Sequence, residues 1–293
     1  MADRRQFVFS IDADWFPGSH TGLERIYGFC ERHKLKTTVF VTGRFAETYP
    51  ELVREAAQKG YELGTHGWEH GLDPEEDFRR GSYDQQKGWM DRATAAVEKA
   101  SGVTPAAFRA PNLSIGETTF RVLEEMHYRL DSSVPSRRCD LGYGQVSHPR
   151  YYWAPLRPYH PCPHDLASEG SSPILEVPPS AFWIPMNMSA LRLFGLGPLK
   201  WAVEHIATRS PLLVFYAHPV EFEYYENQTM PAGQPARYRN GLGPHNFDLL
   251  EQFIEHLASG GYVSVTMSQG ARQCLRGNGS ESARLVSAAR GPR

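Results

Sequence analysis

Ionisable side chains fall at the ends of apolar runs along this chain. Asp12 and Asp14 follow Phe7 to Ile11, and His66 and His70 follow Tyr61 to Gly64. Arg109 follows Ala107-Phe108, Asp131 follows Tyr128 to Leu130, and His218 closes Leu212 to Ala217 (LLVFYA). Two imidazoles and one carboxylate, with water in the open position, make up the usual ligand set of a hydrolytic zinc site. Such an ion lowers the pKa of its water toward ~7 and polarises the carbonyl under attack. His66 and His70 are spaced i, i+4, which puts both rings on one side of a helical turn. Taken singly, each residue has a plainer reading. HxxxH recurs by chance, Asp12 and Asp14 can be solvated strand-end carboxylates or a helix cap, His218 a satisfied buried histidine, and Arg109 a structural ion-pair partner. Their joint order is harder to produce by accident.

The elements that must bring them together are short. Thr37 to Thr42 (TTVFVT) reads as a strand, as do Ile174 to Val177 and Tyr262 to Thr266, from their β-branched and aromatic content. Helical spacing marks His20 to His33, Arg44 to Lys59, Tyr83 to Ala100, Glu117 to Met126 and Asn246 to Ala258. Strand and helix in alternation imply a parallel sheet with helices packed outside. In such a sheet or barrel the C-terminal strand ends share one face, and sites assemble there. Between Pro135 and Pro185 the alternation breaks into a stretch dense in proline, tyrosine and histidine, expected as long loops. Residues 1–275 are expected to form a single catalytic domain. The Gly-, Ser-, Ala- and Arg-rich tail 276–293 has almost nothing to bury and is expected to be disordered.

With 41% hydrophobic and 22% charged residues the composition is that of an ordinary globular protein. A net charge of −2 gives no electrostatic reason to expect nucleic acid or an anionic membrane as the main partner. No apolar run approaches the ~20 residues that span a bilayer, and no signal-peptide core follows Arg4-Arg5, so a cytoplasmic enzyme is expected. The four cysteines are far apart and are expected to be reduced. Met186 to Ile206 is apolar with sparse charge; it suits a helical lid or a segment resting on a membrane surface.

The ordered set SIDAD, THGWEH, FRAPN, LDSS and VFYAHP, spread over residues 7–267, resembles the motifs of the polysaccharide deacetylases (NodB-homology domain, carbohydrate esterase family four). The resemblance implies an α/β fold, an irregular (β/α) barrel of seven or eight strands open at one edge, and hydrolysis of N-acetyl or related amides on amino sugars. It implies Asp14, His66 and His70 as ligands of a divalent metal, with Zn2+ the default and Co2+, Ni2+ or Fe2+ also acceptable to that set. It makes Asp12 the general base, Arg109 its orienting partner, and His218 the general acid for the leaving amine. Trp68, Pro111, Asn112, Asp131 and Glu221 become possible pocket residues. The spaced Asp-Ala-Asp, where two adjacent aspartates are typical, leaves the roles of Asp12 and Asp14 open to exchange. Arg-Ala-Pro-Asn stands where Arg-x-Pro-Tyr is usual. The expected substrate is a small, nucleotide-linked or lipid-linked amino sugar. The DADWFPG segment resembles deformylases of lipid-carried formamido-sugars, although FRAPN matches them poorly. Cyclic amide or ureide hydrolysis, and non-catalytic sugar binding on a dead barrel, are the alternatives.

Overall fold

The computed structural model describes residues 5–16, 18–70, 76–138, 149–223 and 241–277. Its strands run β1 (Gln6–Ala13), β2 (Thr37–Val41), β3 (Glu62–Thr65), β4 (Ala107–Phe108), β5 (Leu130–Asp131), β6 (Pro161–Cys162), β7 (Asp165–Glu169), β8 (Leu175–Glu176), β9 (Ala181–Phe182), β10 (Ile184–Pro185), β11 (Leu212–Ala217) and β12 (Val263–Ser264). The helices are α1 (Ser19–Arg32), α2 (Gly43–Thr48), α3 (Pro50–Gln58), α4 (Tyr83–Ser101), α5 (Glu117–Glu125), α6 (Met188–Phe194), α7 (Leu196–Ala207), α8 (Asn246–Ser259) and α9 (Met267–Gly277).

Seven strands form one curled sheet in the order β11-β1-β2-β3-β4-β5-β8, and β12 adds to the start of β1. Each of these pairings is parallel. β2 and β11 are buried throughout, and β1 is buried from Phe7 onward, because helices cover one face and side chains fill the other. This is why FVFSI and LLVFYA read as near-continuous apolar runs rather than alternating ones. The edges β8 and β11 are joined without a regular strand between them. Val177 N–H donates to Asp131 O at 2.8 Å, Ser180 N–H donates to Val214 O at 3.2 Å, and Asn187 bridges Tyr216. The irregular (β/α) half-barrel expected from the sequence is therefore present, its last gap bridged by the Val177–Asn187 segment.

Two readings need correction. Arg44 to Lys59 is not one helix but two, because Pro50 has no N–H to donate and pushes Tyr49 out of helical geometry (φ −129, ψ 57). The 135–185 stretch is more structured than a set of loops. Besides β8 it holds a 3₁₀ turn at Pro149–Trp153 and the antiparallel pairs β6–β7 and β9–β10. The apolar segment 186–206 is helical, in two pieces, α6 and α7, that meet at Gly195 (φ 73). Of the tail, Arg276 and Gly277 end α9, and residues 278–293 lie outside the described residues.

Candidate metal centre and active site

The ends of β1 and β3, on either side of β2, bring an aspartate pair and a histidine pair to one place. β1 and β2 are in register from Phe9↔Thr37 to Ala13↔Val41, and β2 continues onto β3 through Val41↔Thr65. Asp12, Asp14 and His66 therefore leave the ends of the two strands that flank β2, and all three are almost fully buried. The HxxxH segment is not the helical turn expected from its spacing. It is an irregular turn begun by Gly67 at φ +70, where a side chain would be strained and would meet the Glu76 carboxylate. Glu76 ties the turn by accepting the backbone N–H groups of Trp68 and Glu69. The two imidazoles still converge, with ring centroids 5.2 Å apart.

One ligand atom from each of Asp14, His66 and His70 lies within 4.8 Å of the others. Asp14 Oδ1, His66 Nε2 and His70 Nδ1 are buried and hydrogen-bond to nothing. Buried polar atoms without a partner are costly unless something else occupies them. The far nitrogen of His66 is fixed: Nδ1 lies 2.6 Å from the Arg109 carbonyl and donates to it, which leaves the Nε2 lone pair facing Asp14 at 3.6 Å. His70 Nε2 receives the Asn112 N–H at 3.2 Å. Burial keeps both histidines from charging, moderated for His66 by Asp12 and Asp14, and pushes His70 down to about 4. Asp14 is pushed up to about 6 by burial, with His66 and His218 offsetting part of the rise. Neutral imidazoles and a carboxylate that lacks a cation are a donor set that fits a divalent ion.

Asp12 has the opposite environment. Burial, the largest single influence, would raise it, but the Arg109 guanidinium, His66 and His218 together outweigh burial and hold it below the ordinary carboxylate range. Arg109 is wholly buried and donates from Nη1 to Asp12 Oδ1 at 2.7 Å and Ser10 Oγ at 2.9 Å. Its Nε and Nη2 donate to Ser132 O at 3.1 Å and Ser132 Oγ at 2.9 Å. Two neighbouring aspartates are thus driven apart, one kept charged and one left wanting a cation.

His218 leaves the end of β11 with Nε2 3.9 Å from Asp12 Oδ2. Its other nitrogen faces Glu221 Oε2 at 3.4 Å, and the same oxygen accepts the His218 backbone N–H at 2.9 Å. Burial would lower this histidine, but Glu221, with Asp14 and Asp12, raises it to about 10. Glu221 is in turn held by Ser189 Oγ at 2.7 Å and Arg192 Nη1 at 3.0 Å, both from α6.

Several expected pocket residues sit elsewhere. Glu221 is buried behind His218 and does not face open space. Asp131 is fully buried and bound by Ser133 Oγ at 2.7 Å; burial raises its carboxyl and that of the adjacent Glu176. Trp68 is buried in the core between α2 and α4, with Arg92 3.3 Å over its ring. Pro111 and Asn112 do border the histidines, in a turn where Asn112 and Leu113 both have φ 55. Such a left-handed pair is sparsely populated and marks a held, functional turn. Ser10, Ser132, Ser189 and Arg192 were missed, since isolated serines and a helical arginine carry no distinctive spacing. The serines of LDSS were the one available signal.

Residues 3–130 match the family model for polysaccharide deacetylase. The resemblance to the polysaccharide deacetylases holds. The match takes in SIDAD, THGWEH and FRAPN and stops at Leu130, so His218 lies beyond it. The peptidoglycan deacetylase-like protein FGM2 of Gibberella zeae is 30% identical over 141 residues, which is 47% of this chain and 40% of that protein. The peptidoglycan-N-acetylglucosamine deacetylase of Bacillus cereus is 22% identical over 100 residues, 34% of each. The alignments thus span well under half of these curated relatives. A crystal structure of a candidate polysaccharide deacetylase from Mycobacterium smegmatis superposes with a TM-score of 0.60 at 20% identity, over 95% of this chain and 93% of that one. A CE4 family pseudoenzyme from Bacillus anthracis superposes at 0.54 and 11% identity, over 92% of this chain and 66% of that one. At these identities the superpositions speak for the deacetylase fold, which both active and inactive proteins share.

Proposed function

We propose that the chain is a metal-dependent amide hydrolase that removes an N-acetyl or N-formyl group from an amino sugar. The observation that carries this is the convergence of one ligand atom each from Asp14, His66 and His70, with Asp14 Oδ1 and His66 Nε2 orphaned, beside an ionised Asp12 and a protonated His218. Asp14 Oδ1, His66 Nε2 and a nitrogen of His70 would hold the ion, with zinc the default and cobalt, nickel or iron(II) compatible with the set. When bound, the ion supplies Lewis-acid polarisation of the amide carbonyl and acidifies the attacking water.

The chain's own groups then divide the proton work. Asp12, held ionised by Arg109, takes a proton from the water as its oxygen bonds to the carbonyl carbon. His218 Nε2, its ring steadied at Nδ1 by Glu221, gives a proton to the amine nitrogen as the C–N bond breaks. The products are a carboxylate and a free amine on the sugar. The opposed pKa shifts of Asp12 and His218 put a base and an acid within 3.9 Å of each other at neutral pH.

The test is metal analysis of the wild type and His66→Ala, with amine release from a panel of N-acetyl and N-formyl amino sugars. About one ion per chain, lost together with turnover in the variant, is expected. Stoichiometric ion without sugar turnover would move the substrate to cyclic amides. No ion, with the variant behaving as wild type, would make the cluster structural and end the proposal.

A further inference from the structure

Among the described residues seven large hydrophobic side chains are exposed, and five of them (Trp153, Trp183, Leu193, Phe194 and Trp201) fall between residues 153 and 201. Leu193 and Phe194 end α6, Gly195 turns the chain, and α7 carries Trp201 outward. From Leu193 to Trp201 (LFGLGPLKW) the exposed positions are Leu193, Phe194, Gly197, Pro198 and Trp201, none of them charged. Trp201 continues into an aromatic ridge: its ring lies 5.3 Å from Phe182, which stacks on Trp183 at 6.4 Å. Trp183 stands 59% exposed at φ 62, a strained placement for a bulky residue, and donates from Nε1 to Tyr152 Oη at 2.9 Å.

We propose that this α6–α7 turn and its ridge seat on the surface of a lipid bilayer. Leu193, Phe194 and Pro198 have no hydrogen-bonding group to offer a sugar, and the Trp183 N–H is already engaged, which favours lipid over a carbohydrate chain. Trp rings beside aliphatic tips are the makeup of a segment that sinks partway into the headgroup layer. Lys200 lies within the stretch and Arg209, over the Phe182 ring at 5.1 Å, flanks it, and between residues 193 and 209 the one carboxylate is the exposed Glu204. The balance is complementary to an anionic leaflet. No described helix is long and apolar enough to cross the membrane, so the contact is peripheral. Arg192, next to Leu193, holds Glu221, which holds His218. The helix that carries the turn is thereby tied, through one ion pair, to the residue behind His218.

The inference can be tested without turnover, so its failure is separable from that of the hydrolase reading. The full chain is sedimented with vesicles of phosphatidylcholine and phosphatidylglycerol at about 3:1, alongside Phe194→Ser/Trp201→Ser and, as a control, Val103→Ser. Wild type and control are expected to bind, with a blue shift of tryptophan emission. The double variant, with an unchanged thermal melt, is expected to lose binding by ~10-fold or more. A wild type that stays in the supernatant, or a double variant that binds as well as wild type, overturns the proposal. Retention on an amino-sugar polymer that is lost in the double variant, without vesicle binding, would assign the face to a sugar chain. A concentration-dependent dimer lost in the same variant, again without vesicle binding, would assign it to a second copy. Either outcome overturns the lipid assignment.

Discussion

Replacing Arg109 by methionine isolates the electrostatics of the site, because methionine keeps most of the volume and removes every donor. In the native protein the guanidinium and the Asp12 carboxylate are 0% and 3% exposed and 2.7 Å apart. Loss of one partner from so buried a pair strands the other charge, at ~3–5 kcal/mol. The penalty must depend on pH. The folded pKa of Asp12 lies below its ordinary value, so its ionisation contributes stability that is present above the unfolded value of ~3.9 and lost as pH falls through the folded one. In Arg109→Met the strongest opposition to burial is gone. The carboxyl rises, and the variant loses stability as pH climbs past ~4. Urea unfolding of chelator-treated wild type and variant, followed by circular dichroism from about pH 4 to pH 8, should give a gap of ~3–5 kcal/mol at pH 7 that narrows toward acid. A gap below ~1 kcal/mol at pH 7, as for an exposed pair, or one that stays flat across the range, would refute the reasoning.

Glu221→Gln removes the largest influence raising His218, so the alkaline limb of the kcat/KM profile is expected to move to lower pH, with kcat down by ~10-fold. An unmoved limb would show that Glu221 does not act on the acid. Gly22→Ala puts a methyl into the Pro219 carbonyl where α1 meets the turn after His218. It is expected to cost ~1–3 kcal/mol and to lower kcat, and a wild-type melting midpoint would sink it.

The sequence made the long strands legible and the short ones hard to bound. β1, β2 and β11 are uninterrupted apolar runs because parallel pairing buries both faces, and each was read within two residues of its ends. β4 and β5 are only two residues each and carry no periodicity, so they are located only by Arg109, which follows β4, and Asp131, which ends β5. Asp14, His66 and His70 do converge, although the helical turn inferred from their spacing is absent. Its replacement depends on Gly67 and on Glu76, outside the motif. The orientation of Trp68, Asp131 and Glu221 has no such signal in the sequence. Proximity to a motif does not say which way a side chain points, and all three turn inward, toward the core or the back of the site. Glu221 in particular gains its role from α6, whose Ser189 and Arg192 contacts span about thirty residues and leave no local trace.

Arg109 serves the site through two chemically separate parts. Its side chain governs the charge on Asp12, whereas its carbonyl fixes the tautomer of His66. Substitution can erase the first and scarcely touches the second, because every residue brings a carbonyl. The proton-handling half of the centre is therefore exposed to mutational drift, while the ligand half is insured by the main chain. A descendant that loses Arg109 is expected to decay in a fixed order, losing turnover first and cation binding later, and to pass through a stage as an ion-loaded protein that no longer reacts.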